Sequence, residues 1–260
     1  VKSALNVVKA DIAEGLMKLG VRRNSLLMVH SSLSAIGNVE GGAETVVDCL
    51  LDVIGPGGTL VVPTFTYSDC RDPSWIFDPV NTPSGMGAIT NAARNRPNAR
   101  RSVHLTHSVA AIGSLAEQVT TAGKSSAFDT ESPMAWVLNN NGWILMLGVP
   151  YQNLTAIHVW EVEFGVDYRE DCDMERRLRN PNGNLVFLTS RIHGRRDGHP
   201  GSDFNRFGEL MEVDGKVQIG NIGNAVGRLL FSTDAYKLAR TMYSEDRNSF
   251  LKQTESVTPL

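Results

Sequence analysis

The strongest constraint on the fold lies between residues 25 and 63. Ser25-Leu-Leu-Met-Val-His30 is an apolar run of strand length that ends in polar residues. Gly41-Gly42-Ala43 opens the next stretch, Glu44 to Ile54, in which Val46, Val47, Leu50, Leu51 and Ile54 share one helical face. Gly55-Pro-Gly-Gly58 closes that helix in a tight turn. Thr59-Leu-Val-Val-Pro63 is then a second apolar, strand-length run. Two buried strands joined by a helix make a βαβ unit, and that unit places its strands side by side and parallel.

The rest of the chain extends the same pattern. Residues 4–19 set Leu5, Val8, Ile12, Leu16 and Met17 at helical spacing, and 86–95 and 155–166 also read as helices. Val109-Ala-Ala-Ile112 and Ile144-Leu-Met-Leu-Gly148 are strands too apolar for a sheet edge. From Cys172 the texture changes. Asn180-Pro-Asn-Gly183 is a hairpin turn leading to Leu185-Val-Phe-Leu188, and Arg191 to Gly201 reads as a basic, glycine-rich loop. Gly223 to Met242 reads as an apolar helical segment, and 245–260 as a loosely held polar tail. With no repeat, low-complexity tract or linker, the expectation is one α/β domain over residues 1–260. Its central sheet is mixed but largely parallel and flanked by helices, and its C-terminal third is elaborated.

Composition excludes several functions. The chain carries 25 Lys and Arg against 28 Asp and Glu, so it lacks the cationic field that phosphate backbones require. Its three cysteines are dispersed and outline neither a disulfide framework nor a CxxC metal knuckle. The N-terminal stretch has charges inside it, unlike a signal peptide, and no apolar segment approaches the ~20 residues of a membrane span. These features predict a soluble cytoplasmic protein that takes a small molecule as partner, without nucleic acid or membrane.

Four constellations can carry chemistry. His30-Ser31-Ser32-Leu33-Ser34 follows a parallel strand, where α/β folds bind ligands, and its hydroxyls and amides suit a phosphate. Taken alone it reads equally well as a serine-rich loop. It contains no GK[ST] and no GxGxxG, so nucleotide hydrolysis and dinucleotide binding lack support. Tyr67 and Asp69 lie past the next strand, with Asp72, Trp75, Phe77 and Asp78. Carboxylates beside aromatic faces can hold an ammonium-rich ligand, although a single loop Asp more often makes a local turn. Arg100-Arg101-Ser102-Val-His104 and His107-Ser108 offer an Arg fork for a phosphate. His104 and His107 lack a third ligand at metal spacing, so no metal is expected. His158 and Glu161 share a helical face three residues apart, and a carboxylate beside an imidazole raises its basicity and fixes its tautomer. That pair suits deprotonation of an amine, though an isolated His/Glu pair is commonly a surface feature. No GxSxG elbow is present.

Together these segments resemble the aminoglycoside 3-N-acetyltransferase family. The matching stretches are HSSLSAIG (30–37), GGAETVVDCLLDVIGPGGTLVVPTFT (41–66), FDP (77–79), TPSGMG (82–87), RRSVH (100–104), SVAAIG (108–113), LGV with TAIHVWE (147–161), DFNRFGE (203–209) and GNIGNA (220–225). They occur in the family's order over nearly the whole chain. The resemblance implies transfer of acetyl from acetyl-CoA to the 3-amino group of a 2-deoxystreptamine aminoglycoside, a resistance activity. It assigns His158 as catalytic base with Glu161 as its acid. It places coenzyme A at His30, Ser31, Ser32, Leu33 and Ser34 and at Arg101, Ser102 and Ser108. Asp69, with Tyr67, falls where the aminoglycoside is faced. Asp197 and Asp203 are candidates for a carboxylate downstream of the histidine, where this chain is unusually basic. Leu105 stands where the family usually has proline. With no activated Cys or Ser in the pattern, direct transfer is expected. The alternatives are the same chemistry on another amine, a metal hydrolase built on His104, His107 and Asp69, and a silent coenzyme-A-binding protein.

Overall fold

In a computed structural model, residues 6–67, 69–123 and 125–253 are described. The βαβ unit forms as its sequence dictates. Helix α1 (Lys9–Leu19) leads into β1 (Leu26–Ser31), a single turn α2 (Leu33–Ile36), α3 (Gly42–Ile54) and β2 (Thr59–Pro63). β1 and β2 pair in parallel from Leu26 opposite Thr59. On β1 the side chains alternate between two cores: Leu26 and Met28 belong to one, Leu27 and Val29 to the other. That alternation explains the uninterrupted apolar run, because both faces of the strand are covered.

Then come β3 (Ile76–Phe77), α4 (Ala88–Arg94), β4 (Arg100–Arg101), β5 (Val109–Gly113), α5 (Ala116–Thr121), α6 (Pro133–Asn139) and β6 (Trp143–Leu147). The chain continues through α7 (Ile157–Phe164), β7 (Arg169–Arg179), β8 (Leu185–Arg195), α8 (Phe204–Val213), β9 (Val217–Ile222), β10 (Ala225–Phe231) and α9 (Ser232–Glu245). The main sheet has the order β4-β5-β2-β1-β6-β10-β9, and β3-β7-β8 form a second sheet. β2, β1 and β6 make a parallel centre, while β5 and β10 add antiparallel to either side. One face of the main sheet is covered by α1, α3 and α4, the other by α6, α7, α8 and α9. The α/β class, the helix-flanked central sheet and the interior places of the Val109 and Ile144 strands follow the sequence expectation.

Several expectations need correction. Met17 and Val8 are exposed, because the buried stripe of α1 is Ile12, Gly15, Leu16 and Leu19, and Val8 precedes the helix. Leu5 lies outside the described residues. The segment 191–201 is not wholly loop: Arg191 to Arg195 continue β8 in register with β7. Gly223–Met242 is not one helix, since β10 first pairs antiparallel with β6 and α9 begins only at Ser232. α8 and β9 have no counterpart among the elements expected from the sequence. In the C-terminal stretch Phe250 and Leu251 are buried and Leu251 bridges to Ser202, so the tail is anchored there, and 254–260 lie outside the described residues.

Candidate active site

The parallel strands β1, β2 and β6 all deliver their carboxyl ends to the same edge of the sheet, where open α/β sheets bind ligands. The turns at 31–36, 64–67 and 148–156 leave from that edge. Gly148, just past β6, has φ +69, and a Cβ there would meet the Ala35 Cβ at 2.5 Å. Only glycine lets the β6 exit lie this close against the turn after β1.

α7 follows β6 and carries His158 and Glu161 into this region. Ile157, Val159 and Trp160 anchor the helix in the core. Full burial of such side chains contributes about 1.5–3 kcal/mol each, which offsets desolvation of a carboxylate beside them. His158 Nδ1 stands 2.5 Å from Glu161 Oε2. The imidazole is 15% exposed and the carboxylate 0%. Tyr168 donates its hydroxyl to Glu161 Oε1 at 3.1 Å, and Arg169 Nε lies 2.6 Å from Oε2.

These partners set the charges. Burial raises the Glu161 pKa, but His158, Arg169 and Tyr168 outweigh it, so the carboxyl is held below its ordinary value. Burial also dominates at His158 and lowers its pKa even though Glu161 pulls upward. At neutral pH the pair is therefore a carboxylate and a neutral imidazole. With Nδ1–H donated to Glu161, the lone pair is at Nε2. Phe128 and Phe204 pack about the ring at centroid distances of 5.0 and 5.2 Å. Phe128 in turn meets His107, which Tyr67 touches edge-on at 4.9 Å. Tyr67 thus belongs to the aromatic wall that reaches His158.

Arg169 links the pair to the hairpin. Its guanidinium donates to the His193 carbonyl at 3.3 Å and to the Ser202 hydroxyl at 2.8 Å. Across the ladder His193 faces Asp171, with Nδ1 2.9 Å from Oδ1, and Arg191 pairs with Asp173 at 3.1 Å. Sequence reasoning misses Arg169, Tyr168, Phe128, Phe204, His193 and Asp171. For Arg169, Asp171 and His193 the one legible signal is the β7–β8 register, hidden because 191–195 read as loop.

The turn after β1 retains open polar groups. His30 is buried with Nε2 unpartnered, and burial lowers its pKa to about 4, so it is neutral. Ser31 Oγ is likewise buried without a partner, Ser32 and Ser34 hydroxyls lie 3.0 Å apart, and Leu33 packs on the core. This turn fits a ligand.

Arg101, Ser102 and Ser108, expected beside the coenzyme, lie on β4 and in the segment between β4 and β5. Arg101 turns inward: it donates to the carbonyls of Thr82 at 2.5 Å, Thr64 at 2.8 Å and Pro79 at 3.4 Å. Its Nε lies 3.1 Å from the hydroxyls of both Thr64 and Ser108, and the Phe77 ring lies under its guanidinium. Desolvation lowers its pKa to about 10. A guanidinium with every nitrogen engaged in this way is held in one orientation. Ser102 accepts the Val109 N–H, and Ser108 is fully buried. The three brace the exit of β2.

Of the carboxylates, Asp69 sits half-buried in the short helical turn Asp69–Arg71. Asp203 accepts the Arg206 N–H and so caps the start of α8. Asp197 is exposed in the turn after β8. His104 is engaged on both ring nitrogens: Nδ1 accepts the amides of Thr106 and His107, and Nε2 donates to the Arg191 carbonyl. Among the described residues no group of three His, Cys, Asp or Glu could hold a metal ion.

Residues 28–244 match the family described as aminoglycoside 3-N-acetyltransferase. Aminoglycoside N(3)-acetyltransferase III of Salmonella sp is 32% identical over 236 residues, covering 84% of this chain and 79% of that protein. The sisomicin-bound structure of AAC-VIa superposes with a TM-score of 0.84 at 26% identity, covering 94% of this chain and 99% of the other. A histidine-to-alanine mutant of AAC(3)-IVa in complex with a gentamicin superposes at 0.81 and 27% identity, covering 97% and 94%.

Proposed function

The chain belongs to the aminoglycoside 3-N-acetyltransferase family, and on that footing we propose that it acetylates the 3-amino group of 2-deoxystreptamine aminoglycosides from acetyl-CoA, with His158 as the general base. The observation that carries the proposal is the neutral His158 held by the ionised, fully buried Glu161 at the ligand-binding edge of the sheet. An amine nucleophile must lose a proton as it attacks a thioester, and the Nε2 lone pair is the acceptor. Glu161 then faces an imidazolium, which its charge stabilises, while Arg169 and Tyr168 keep the carboxylate from rotating away.

Acetyl-CoA enters across the turn at Ser31–Ser34, where buried unpartnered hydroxyl and imidazole atoms await a polar ligand. The acceptor's ammonium groups meet the exposed aromatic face of Tyr67, with Asp69 and the carboxylates of β7 to receive charge. Attack within a ternary complex needs no covalent enzyme intermediate, and among the described residues the cleft walls supply no activated Ser or Cys. Free cysteines at Cys49, Cys70 and Cys172 suit a reducing cytoplasm, where acetyl-CoA is available. Among the described residues no helix is long and apolar enough to cross a membrane.

Thiol release from acetyl-CoA, followed across gentamicin-, kanamycin-, neomycin- and apramycin-type acceptors and a set of simple amines, tests the proposal. Turnover with 2-deoxystreptamine acceptors and acetylation at N3 by mass spectrometry are expected. Turnover confined to simple amines would overturn the acceptor assignment.

A further inference from the structure

The acetyltransferase reading leaves one proton unaccounted for. Alkylamines near neutral pH are ammonium ions, since the comparable lysine amine has a pKa near 10.4. Such a nitrogen has no lone pair. It must shed one proton before it attacks the carbonyl carbon, and a second as the C–N bond forms and the amide emerges. A single imidazole accepts one proton and must discharge it before accepting another.

Opposite α7, the hairpin repeats the imidazole–carboxylate arrangement. His193 on β8 and Asp171 on β7 are direct cross-strand partners, with Nδ1 2.9 Å from Oδ1. The His193 side chain is only 9% exposed, and its Nε2 is buried with no hydrogen-bond partner. An unpaired buried nitrogen is costly, and a ligand donor arriving there would remove that cost. The two pairs are joined by one guanidinium: Arg169 Nε is 2.6 Å from Glu161, and its Nη1 reaches the His193 carbonyl at 3.3 Å.

Resting on the reading above, we propose that His193 is a second proton acceptor of the reaction, taking the first ammonium proton of the acceptor at Nε2, before attack. His158 then takes the proton released as the C–N bond forms and the C–S bond breaks. One of the two protons returns to the departing thiolate, giving the free thiol of coenzyme A, and the other passes to solvent. The charged groups around His193 are Asp171 and Arg169 from β7, His158 and Glu161 from α7, and Arg191 and Arg195 on its own strand. A positive charge at His193 acts on His158 in the direction that lowers its pKa.

The test uses His193→Gln, whose amide oxygen can stand near the Nε2 position and accept a hydrogen bond but not a proton. kcat/KM for an aminoglycoside acceptor is measured from pH 6.5 to 9.5, with thermal melting as the folding control. The expected loss is about 100-fold at pH 7, within the range for a proton-transfer group. It shrinks about tenfold per pH unit as free amine accumulates, and activity returns to within about threefold of wild type near pH 9.5. A loss that is the same at every pH, or no loss, overturns the proposal. Should His193→Gln fail to fold, Asp171→Asn, which leaves the imidazole in place without its counter-charge, is expected to show a smaller loss with the same recovery. A pH-independent loss there is equally fatal. If the wild-type protein acetylates no aminoglycoside, the parent reading falls instead, and this proposal with it.

Discussion

Replacing Glu161 by Gln separates what the α7 pair does for stability from what it does for catalysis. The substitution is nearly isosteric, so it opens no cavity. The new carboxamide oxygen can take the Oε2 place and still accept Nδ1–H of His158, but its NH2 then stands at Oε1, where the Tyr168 hydroxyl can no longer donate. Arg169 also loses its counter-charge while its side chain is only 9% exposed. Removing one partner of a buried pair costs about 3–5 kcal/mol. At about 2–4 °C per kcal/mol for a chain of this size, the melting temperature falls by roughly 6–20 °C. Catalysis suffers separately, because the imidazolium formed at His158 has no carboxylate to stabilise it. A 10²- to 10⁴-fold loss of kcat, about 3–5 kcal/mol of barrier, is expected. Differential scanning fluorimetry and thiol-release kinetics read the two effects. The double variant Glu161→Gln with Arg169→Gln removes the stranded cation, and should regain at least half of the lost melting temperature while kcat stays depressed. If either variant turns over within threefold of wild type, the carboxylate has no part in the chemistry and the reasoning fails.

Three further outcomes follow from the same structure. Burial holds His30 and His104 at pKa values of about 4, against about 6.5 unfolded, so their neutral forms favour the fold above pH 6.5 and that stability is lost as pH falls towards 4. Each contributes a loss of roughly 2 kcal/mol by pH 5, and urea melts of His30→Gln should show a shallower decline between pH 7 and 5 than wild type; an unchanged decline sinks the assignment. Arg101→Lys cannot span its carbonyl acceptors and should destabilise the protein by about 2 kcal/mol, with KM for acetyl-CoA within twofold of wild type. A tenfold rise in that KM without a change in melting would restore Arg101 to the coenzyme site. Arg191→Gln uncovers Asp173 and should lower KM for polycationic acceptors by about two- to fivefold at low salt, the gain fading at 0.5 M salt; no salt-sensitive change counts against a role for this face in binding.

How far the sequence can be read depends on which interaction sets each element. Leu26 to Val29 and Leu60 to Val62 are buried on both faces, so their apolar blocks announce the strands without ambiguity. Gly223 to Met242 defeats the same reasoning because β10, paired antiparallel with both β6 and β9, runs directly into α9 at Ser232, with no turn residue to mark the change. Arg191 to Arg195 looks like loop because β7 and β8 stand largely in solvent, where a strand keeps its ladder without an apolar face. Arg101 misleads for a related reason. An arginine pair in a polar stretch suggests an anion, and nothing in the chain order reveals that separate backbone segments converge on the Arg101 guanidinium.

The same contrast governs the site. His158 and Glu161 lie one helical turn apart, so local geometry alone puts their side chains together, and the pair can be named from the chain. His193 and Asp171 are 22 positions apart and meet only because Asn180 to Asn184 fold into a turn that sets β7 against β8 in this register. Slipping that register by one residue would carry His193 to the opposite face and bring Ile192 or Gly194 opposite Asp171. Arg169 makes the hairpin position matter to the helix, since it reaches Glu161 with one nitrogen and the His193 carbonyl with another. The proton chemistry of α7 is therefore tied to strand pairing in the C-terminal third, and a change in the hairpin turn should alter turnover at His158 without touching any residue of its helix.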